Sequence, residues 1–112
     1  MPFQNITGNQ FGQAGIPTAV AVLYKVPPNT RSYLKDIDIA NNTPGDIQVT
    51  VYLVRAGGAP DPLGNVLVPN VTVPRYGQYQ WTGTQIITDG GTIQMVASAI
   101  GCTINASGGE AL

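Results

Sequence analysis

The sequence predicts an all-β protein: a single antiparallel β-sandwich or jelly roll of about seven or eight short strands, preceded by an extended N-terminal arm. Three observations carry this. Charged residues are 10% of the 112, with only two Lys and one Glu, so the residues that build solvated helices are scarce. Apolar side chains recur at every second position in runs of five to ten residues, the period of a strand with one buried face. Clusters of Gly, Pro, Asn and Asp interrupt those runs at intervals of roughly 8 to 15 residues, as a sandwich of short strands requires.

Residues 1–18, MPFQNITGNQFGQAGIPT, carry no charge and place Gln and Asn between isolated Phe3, Ile6, Phe11 and Ile16. No period of two or 3.6 runs through them, so they read as an arm, and residues 19–112 as the sandwich domain. From Ala19 the alternation begins. Val20, Val22 and Tyr24 share one face, and Pro27-Pro28 stops the strand.

Arg31 to Ala40 alternates Tyr33, Lys35, Ile37 and Ile39 against Ser32, Leu34, Asp36 and Asp38, with the two acids facing water. The turn-rich stretch from Asn41 to Asp46 leads into Ile47 to Val54, and two sequential runs joined by so short a turn predict an antiparallel hairpin. AGGAPDPLG, residues 56–64, is a surface loop. Val66 to Val68 and Val71 to Val73 read as edge strands because Pro69 and Pro74 remove ladder donors.

Gln78 to Ile87 sets Tyr79 and Trp81 on one face and Gln78, Gln80 and Thr82 on the other, with a bulge or bend at Gly83. Asp89-Gly90-Gly91 turns the chain into a run through Ile93, Met95, Ala97 and Ala99. A last strand occupies Cys102 to Ala106 before a Gly-rich tail.

The composition bounds function. The net charge is −1 and the five basic residues are scattered, whereas nucleic-acid binding needs a basic stripe on one face. No apolar run approaches the roughly 20 residues of a membrane span, and the N-terminus has neither the basic start nor the apolar stretch of a signal peptide. With no His the commonest general base and metal ligand is absent, so no enzyme, no catalytic residue, no metal and no cofactor is predicted. Asp36 and Asp38, roughly 7 Å apart on one strand face, read as solvated charges that deter edge association rather than as a cation site. Cys102, the single cysteine, reads as a buried structural residue.

Two candidate surfaces remain. Tyr76, Tyr79 and Trp81 could offer flat rings to sugar faces, with neighbouring Gln and Asn amides for the hydroxyls. Phe3, Ile6, Phe11 and Ile16 could enter pockets on neighbouring subunits while the amides between them satisfy backbone groups. On that expectation, deleting residues 1–16 leaves a folded sandwich that has lost its attachment.

The segments Leu23-Tyr24-Lys25-Val26-Pro27, Tyr33 to Asn42, Val49 to Val54, and Gln80-Trp81-Thr82-Gly83 before a Gly-rich turn into Thr92-Ile93 together resemble small all-β virion proteins of tailed bacteriophages, described as capsid decoration (cement) or tail and fibre accessory proteins. The likeness runs from about Tyr24 to Gly108 and rests on structural motifs. It implies a structural protein located in the virion and made in the host cytoplasm. It further implies the major capsid protein or another virion protein as partner, and a homo-oligomer, with a trimer suiting lattice sites of threefold symmetry. No functional residue is carried over from it. A carbohydrate-binding or receptor-binding module is the alternative, and an enzyme the third class.

Overall fold

A computed structural model describes residues 6–61 and 64–111. They form eight strands: β1 (Ile6–Gly15), β2 (Ala21–Lys25), β3 (Arg31–Asn41), β4 (Ile47–Val54), β5 (Val66–Val73), β6 (Gln78–Ile87), β7 (Thr92–Ala97) and β8 (Cys102–Ala111). Two four-stranded sheets result, sheet A in the order β1-β8-β3-β6 and sheet B in the order β2-β7-β4-β5. Every neighbouring pair is antiparallel.

The pairing has a simple rule. β1 pairs with β8, β2 with β7, β3 with β6 and β4 with β5, as if one long hairpin with its tip between β4 and β5 had been wrapped so that successive pairs fall in alternate sheets. The wrapping is then closed by β8 against β3 and β7 against β4. This is jelly-roll connectivity, the second of the two predicted architectures.

Three expectations are corrected. The β3 and β4 runs do not pair as a hairpin. They lie in different sheets, because both sides of β3 are taken by β8 and β6, and both sides of β4 by β7 and β5. Residues 42–46 are instead a crossing between sheets. Asn41 clamps that crossing, its buried amide donating to the carbonyls of Gly45 at 2.8 Å and Val73 at 3.0 Å while its oxygen accepts from the Thr43 N–H at 3.0 Å.

The second correction concerns the arm. Ile6–Gly15 is a full strand of sheet A, registered against β8 from Ile6↔Ala111 to Gly15↔Thr103. Phe11 and Ile16 belong to the hydrophobic core. The third concerns the tail, since β8 runs on through its glycines to Ala111. These two corrections have one cause, because the pairing of β1 with β8 gives two weakly patterned segments the partner that neither finds locally.

The core lies between the sheets and includes Leu34, Ile37, Ile39, Val49, Val51, Val68, Ile93 and Ile104, all fully buried. Cys102 is in it too, where burial pushes its thiol pKa up. Val54 is buried differently: it lies outside the central cluster, under the β4–β5 loop, where Gly58 stacks close to its side chain.

Bulges decide which residues reach the core. In β3 both Leu34 and Ile37 are buried, three apart, because the register shifts between Leu34 and Asp36 and Lys35 is extruded. In β1 the register shifts between Gln10 and Gly12, and the extra residue, Phe11, points inward. The two bulges lie on either side of Ser107, that of β3 opposite the Gly108–Ser107 step and that of β1 opposite the Ser107–Ala106 step. Bulges bend the strands that carry them, so β1 and β3 both bend beside Ser107. Gly108 permits the bend: a Cβ there would fall on the carbonyl oxygen of Tyr33, 2.9 Å from its carbon, and 3.0 Å from the Phe11 ring.

Candidate assembly surface

Of the four arm residues read as anchors, Phe3 lies outside the described residues and Ile6 opens β1 opposite Ala111. Phe11 and Ile16 are spent inside their own domain and cannot enter a neighbour. The Phe11 ring stacks on Tyr24, centroids 4.5 Å apart and 27° between planes. Tyr24 reaches it because β2 shifts register between Val22 and Tyr24, so that Val22 faces solvent and Tyr24 faces in.

The Tyr24 hydroxyl meets Ser32 Oγ at 2.9 Å and donates to the carboxylate of Glu110, the one glutamate of the chain. Burial, followed by the hydrogen bond to Glu110, holds the phenol pKa up at about 12. The neutral phenol is therefore favoured in the folded state. Its contribution to stability is complete below pH 10 and is lost as the pH rises toward 12, because the unfolded chain ionises first. We expect Tyr24→Phe to lower the unfolding free energy by about 1 kcal/mol at pH 7 by removing one partner of Glu110. Urea titrations of the two proteins at pH 8 to 11.5 should show that difference shrinking as the pH rises, and a constant difference would contradict the assignment.

The aromatic trio does not form one platform. Tyr79 and Trp81 oppose Ile39 and Ile37 in the ladder, so they point between the sheets and pack on the core at the β6 edge. The Trp81 indole runs along its own strand, such that a Cβ at Gly83 would come within 3.1 Å of Cζ2. Tyr76 stands apart in the β5–β6 turn, 68% exposed and with a φ of 49°. Its N–H donates to the Thr43 carbonyl at 3.1 Å, tying the turn to the β3–β4 crossing. A depression of about 430 Å³ lies between Tyr76, Asn42 and Gln78. Ile100, 80% exposed, marks the same end of the sandwich, because the Asn42 N–H donates to the carbonyl of neighbouring Gly101 at 3.1 Å.

The two outer faces differ in chemistry. Sheet A presents Gln10, Gln13, Asn105, Ser107, Thr82 and Gln80 around Asp36 and Asp38, both partly buried beside those hydroxyls and amides. Asp36 Oδ1 is enclosed without a hydrogen-bond partner. Sheet B presents Val22, Gln94 and Tyr52 in one row and Thr50 and Val96 in the next, with Lys25 at the margin. Val22 is 54% exposed there.

The strand edges differ too. β5 is interrupted at Pro69 and at Asn70, whose φ is 47°, and β2 is five residues long and ends at Pro27-Pro28. β6 has ten residues with no Pro and no charge. That sequence was legible as a strand, but its place at a sheet edge was not.

No family model matches the chain, and no curated protein matches it in sequence. Solved structures of infectious bursal disease virus do align with it. For the Gx strain the match covers 97% of this chain at 15% identity and a TM-score of 0.41, and for the Gt strain 98% at 13% and 0.41. The chain spans less than a third of the length of those chains, 28% and 29%.

Proposed function

We propose that this protein is a structural component of a virion, acting as a capsid decoration (cement) protein that binds the major capsid protein lattice and stabilises the head. The observation that supports this most directly is the neutral Val, Thr, Tyr and Gln surface on the outside of sheet B. Such a face packs against another protein without desolvating charge, and it is presented by a rigid body whose core needs no partner. The segment-by-segment resemblance to small phage virion proteins supports the same reading. Attachment through residues 1–18 is replaced by attachment through the sheet face, since most of that segment is β1.

Val22 is the residue to change, being the most exposed apolar side chain of that face, on its edge strand β2. Val22→Glu should leave the thermal midpoint within about 2 °C of the parent and reduce retention on purified particles at least tenfold. Undiminished retention would remove sheet B from the interface. Copy number separates the two virion positions: quantitative mass spectrometry of the particles should count hundreds of copies for a head protein, and a few for a tail or fibre accessory protein.

A second reading has its own observation. The exposed Tyr76 ring beside the Asn42 and Gln78 amides suits a sugar ring, with its C–H face on the aromatic face and its hydroxyls on the amides. A receptor-binding module of this kind would lose host polysaccharide binding on Tyr76→Ala and keep it on Val22→Glu.

A further inference from the structure

We propose that the free edge of β6 pairs with β6 of a second copy, antiparallel about a twofold axis at Gln80, so that two sheets A join into one continuous sheet. This goes beyond the proposed function and holds whatever particle the protein belongs to.

The ladder itself shows which backbone groups are available. The Asn41 N–H donates to the Gly77 carbonyl at 2.9 Å, and hydrogen-bonded pairs recur at every second position of an antiparallel ladder. Ile39↔Tyr79 and Ile37↔Trp81 are therefore the bonded pairs with β3. The N–H and C=O groups of Gln78, Gln80 and Thr82 consequently point away from β3, to the free edge. Among the described residues no backbone hydrogen bond reaches them from another element.

The available segment is symmetric about its middle. It is bounded by the turn at Gly77 on one side and by the bulge at Gly83 and Thr84 on the other, leaving Gln78–Thr82 with Gln80 at the centre. Pairing Gln80 with its own copy sets Gln78 against Thr82 on the outer face, an amide against a hydroxyl, with about six backbone hydrogen bonds across the junction. On the inner face Tyr79 meets the other copy's Trp81. Both rings are only partly buried within the monomer, and cross-strand aromatic pairs at non-bonded positions lie closest of all.

β6 is the edge for which this holds. An uncharged strand without Pro is what a second strand adds to most readily, and the other strands offer less. β5 and β2 are broken or short, as described above. β1 is also uncharged, but it bulges at Phe11 and turns only Gly12 and Ala14 inward at its C-terminal half, so pairing there covers no aromatic surface. The area covered at β6, on the order of 400 Å² per copy, is below the roughly 800 Å² of a stable dimer. The pairing is therefore weak in solution and effective where copies are already held side by side.

Sedimentation equilibrium between about 10 µM and about 1 mM should show a monomer–dimer equilibrium with a dissociation constant on the order of 100 µM. Gln80→Pro removes the central edge donor and leaves the β3 ladder intact, and it should weaken association at least tenfold with the thermal midpoint nearly unchanged. Gln80→Cys provides a second readout, because bonded pairs place Cα atoms about 5.5 Å apart, within disulfide reach. Mild oxidation should convert it to covalent dimers at least tenfold faster than Thr84→Cys, while the buried Cys102 stays reduced. A parent that is monomeric throughout, equal cross-linking of the two cysteine variants, or open-ended polymers that grow with concentration would each overturn the twofold pairing. The cross-linking comparison decides the matter if Gln80→Pro does not fold.

Discussion

Gly108→Ala should destabilise the protein by at least about 3 kcal/mol, the cost of forcing a backbone contact apart inside a packed sheet. The added methyl falls on the Tyr33 carbonyl oxygen and touches the Phe11 ring. A flexible side chain could swing away, but a strand carbonyl cannot move without breaking its ladder. The site also adjoins the β3 bulge, and the residue extruded from the β1 ladder, Phe11, packs on its other side, so relief on one side displaces the other. Gly8→Ala is the control in the same sheet: nothing lies within 4 Å of its Cβ, and its effect should stay within about 0.5 kcal/mol. Urea unfolding of the two variants measures the contrast directly. Equal, small losses would mean that sheet A bends elsewhere.

Deleting residues 1–16 should abolish cooperative folding. The truncation removes β1, the Phe11 ring from its stack on Tyr24, and Ile16 from the core. Truncating a buried Phe to Ala costs about 3 to 5 kcal/mol and a buried Ile about 2 to 5. Together these match much of the roughly 5 to 15 kcal/mol that holds a domain of this size folded. The deletion additionally strips β8 of one of its two ladder partners. Far-ultraviolet circular dichroism with a thermal scan would show no sigmoidal transition. A truncated chain melting within about 5 °C of the parent would return the segment to the status of an appendage.

What the sequence disclosed, and what it hid, follows from the range of the interactions involved. The strands over 31–41, 47–54, 78–87 and 92–97 were legible because each carries its own alternation and its own turn signals. The shared face of Tyr79 and Trp81, and the irregularity at Gly83, were legible for the same local reason, although that the face turns inward was not. Partnership was not. Nothing within β1 or the end of β8 announces a strand, because Gly8, Gly12, Gly15, Gly108 and Gly109 leave little side-chain pattern, and their pairing depends on a segment at the other end of the domain.

Bulges concealed more. Strict alternation puts Leu34 on the face of Asp36 and Asp38, and Tyr24 on the face of Val22. One extruded residue in each strand reverses both assignments. The Tyr24, Ser32 and Glu110 contact escaped notice because its acid lay in what read as a tail, although a single Glu in an otherwise neutral segment was the available signal. The open β6 edge was hidden because strand order within a sheet is a property of the whole chain.

The pairing of the first strand with the last also sets the timetable of folding. β1 leaves the ribosome about a hundred residues ahead of its partner, so the contact that seats Phe11 must wait for nearly the whole domain to be made. During that interval the uncharged, glycine-rich β1 is without the neighbour that covers it. The β4–β5 hairpin closes across the shortest stretch of chain of any pair, whereas β8, which joins β1 to β3, is the last strand to be made. Yield should therefore depend on the rate of synthesis and on temperature more steeply than the stability of the finished jelly roll would suggest.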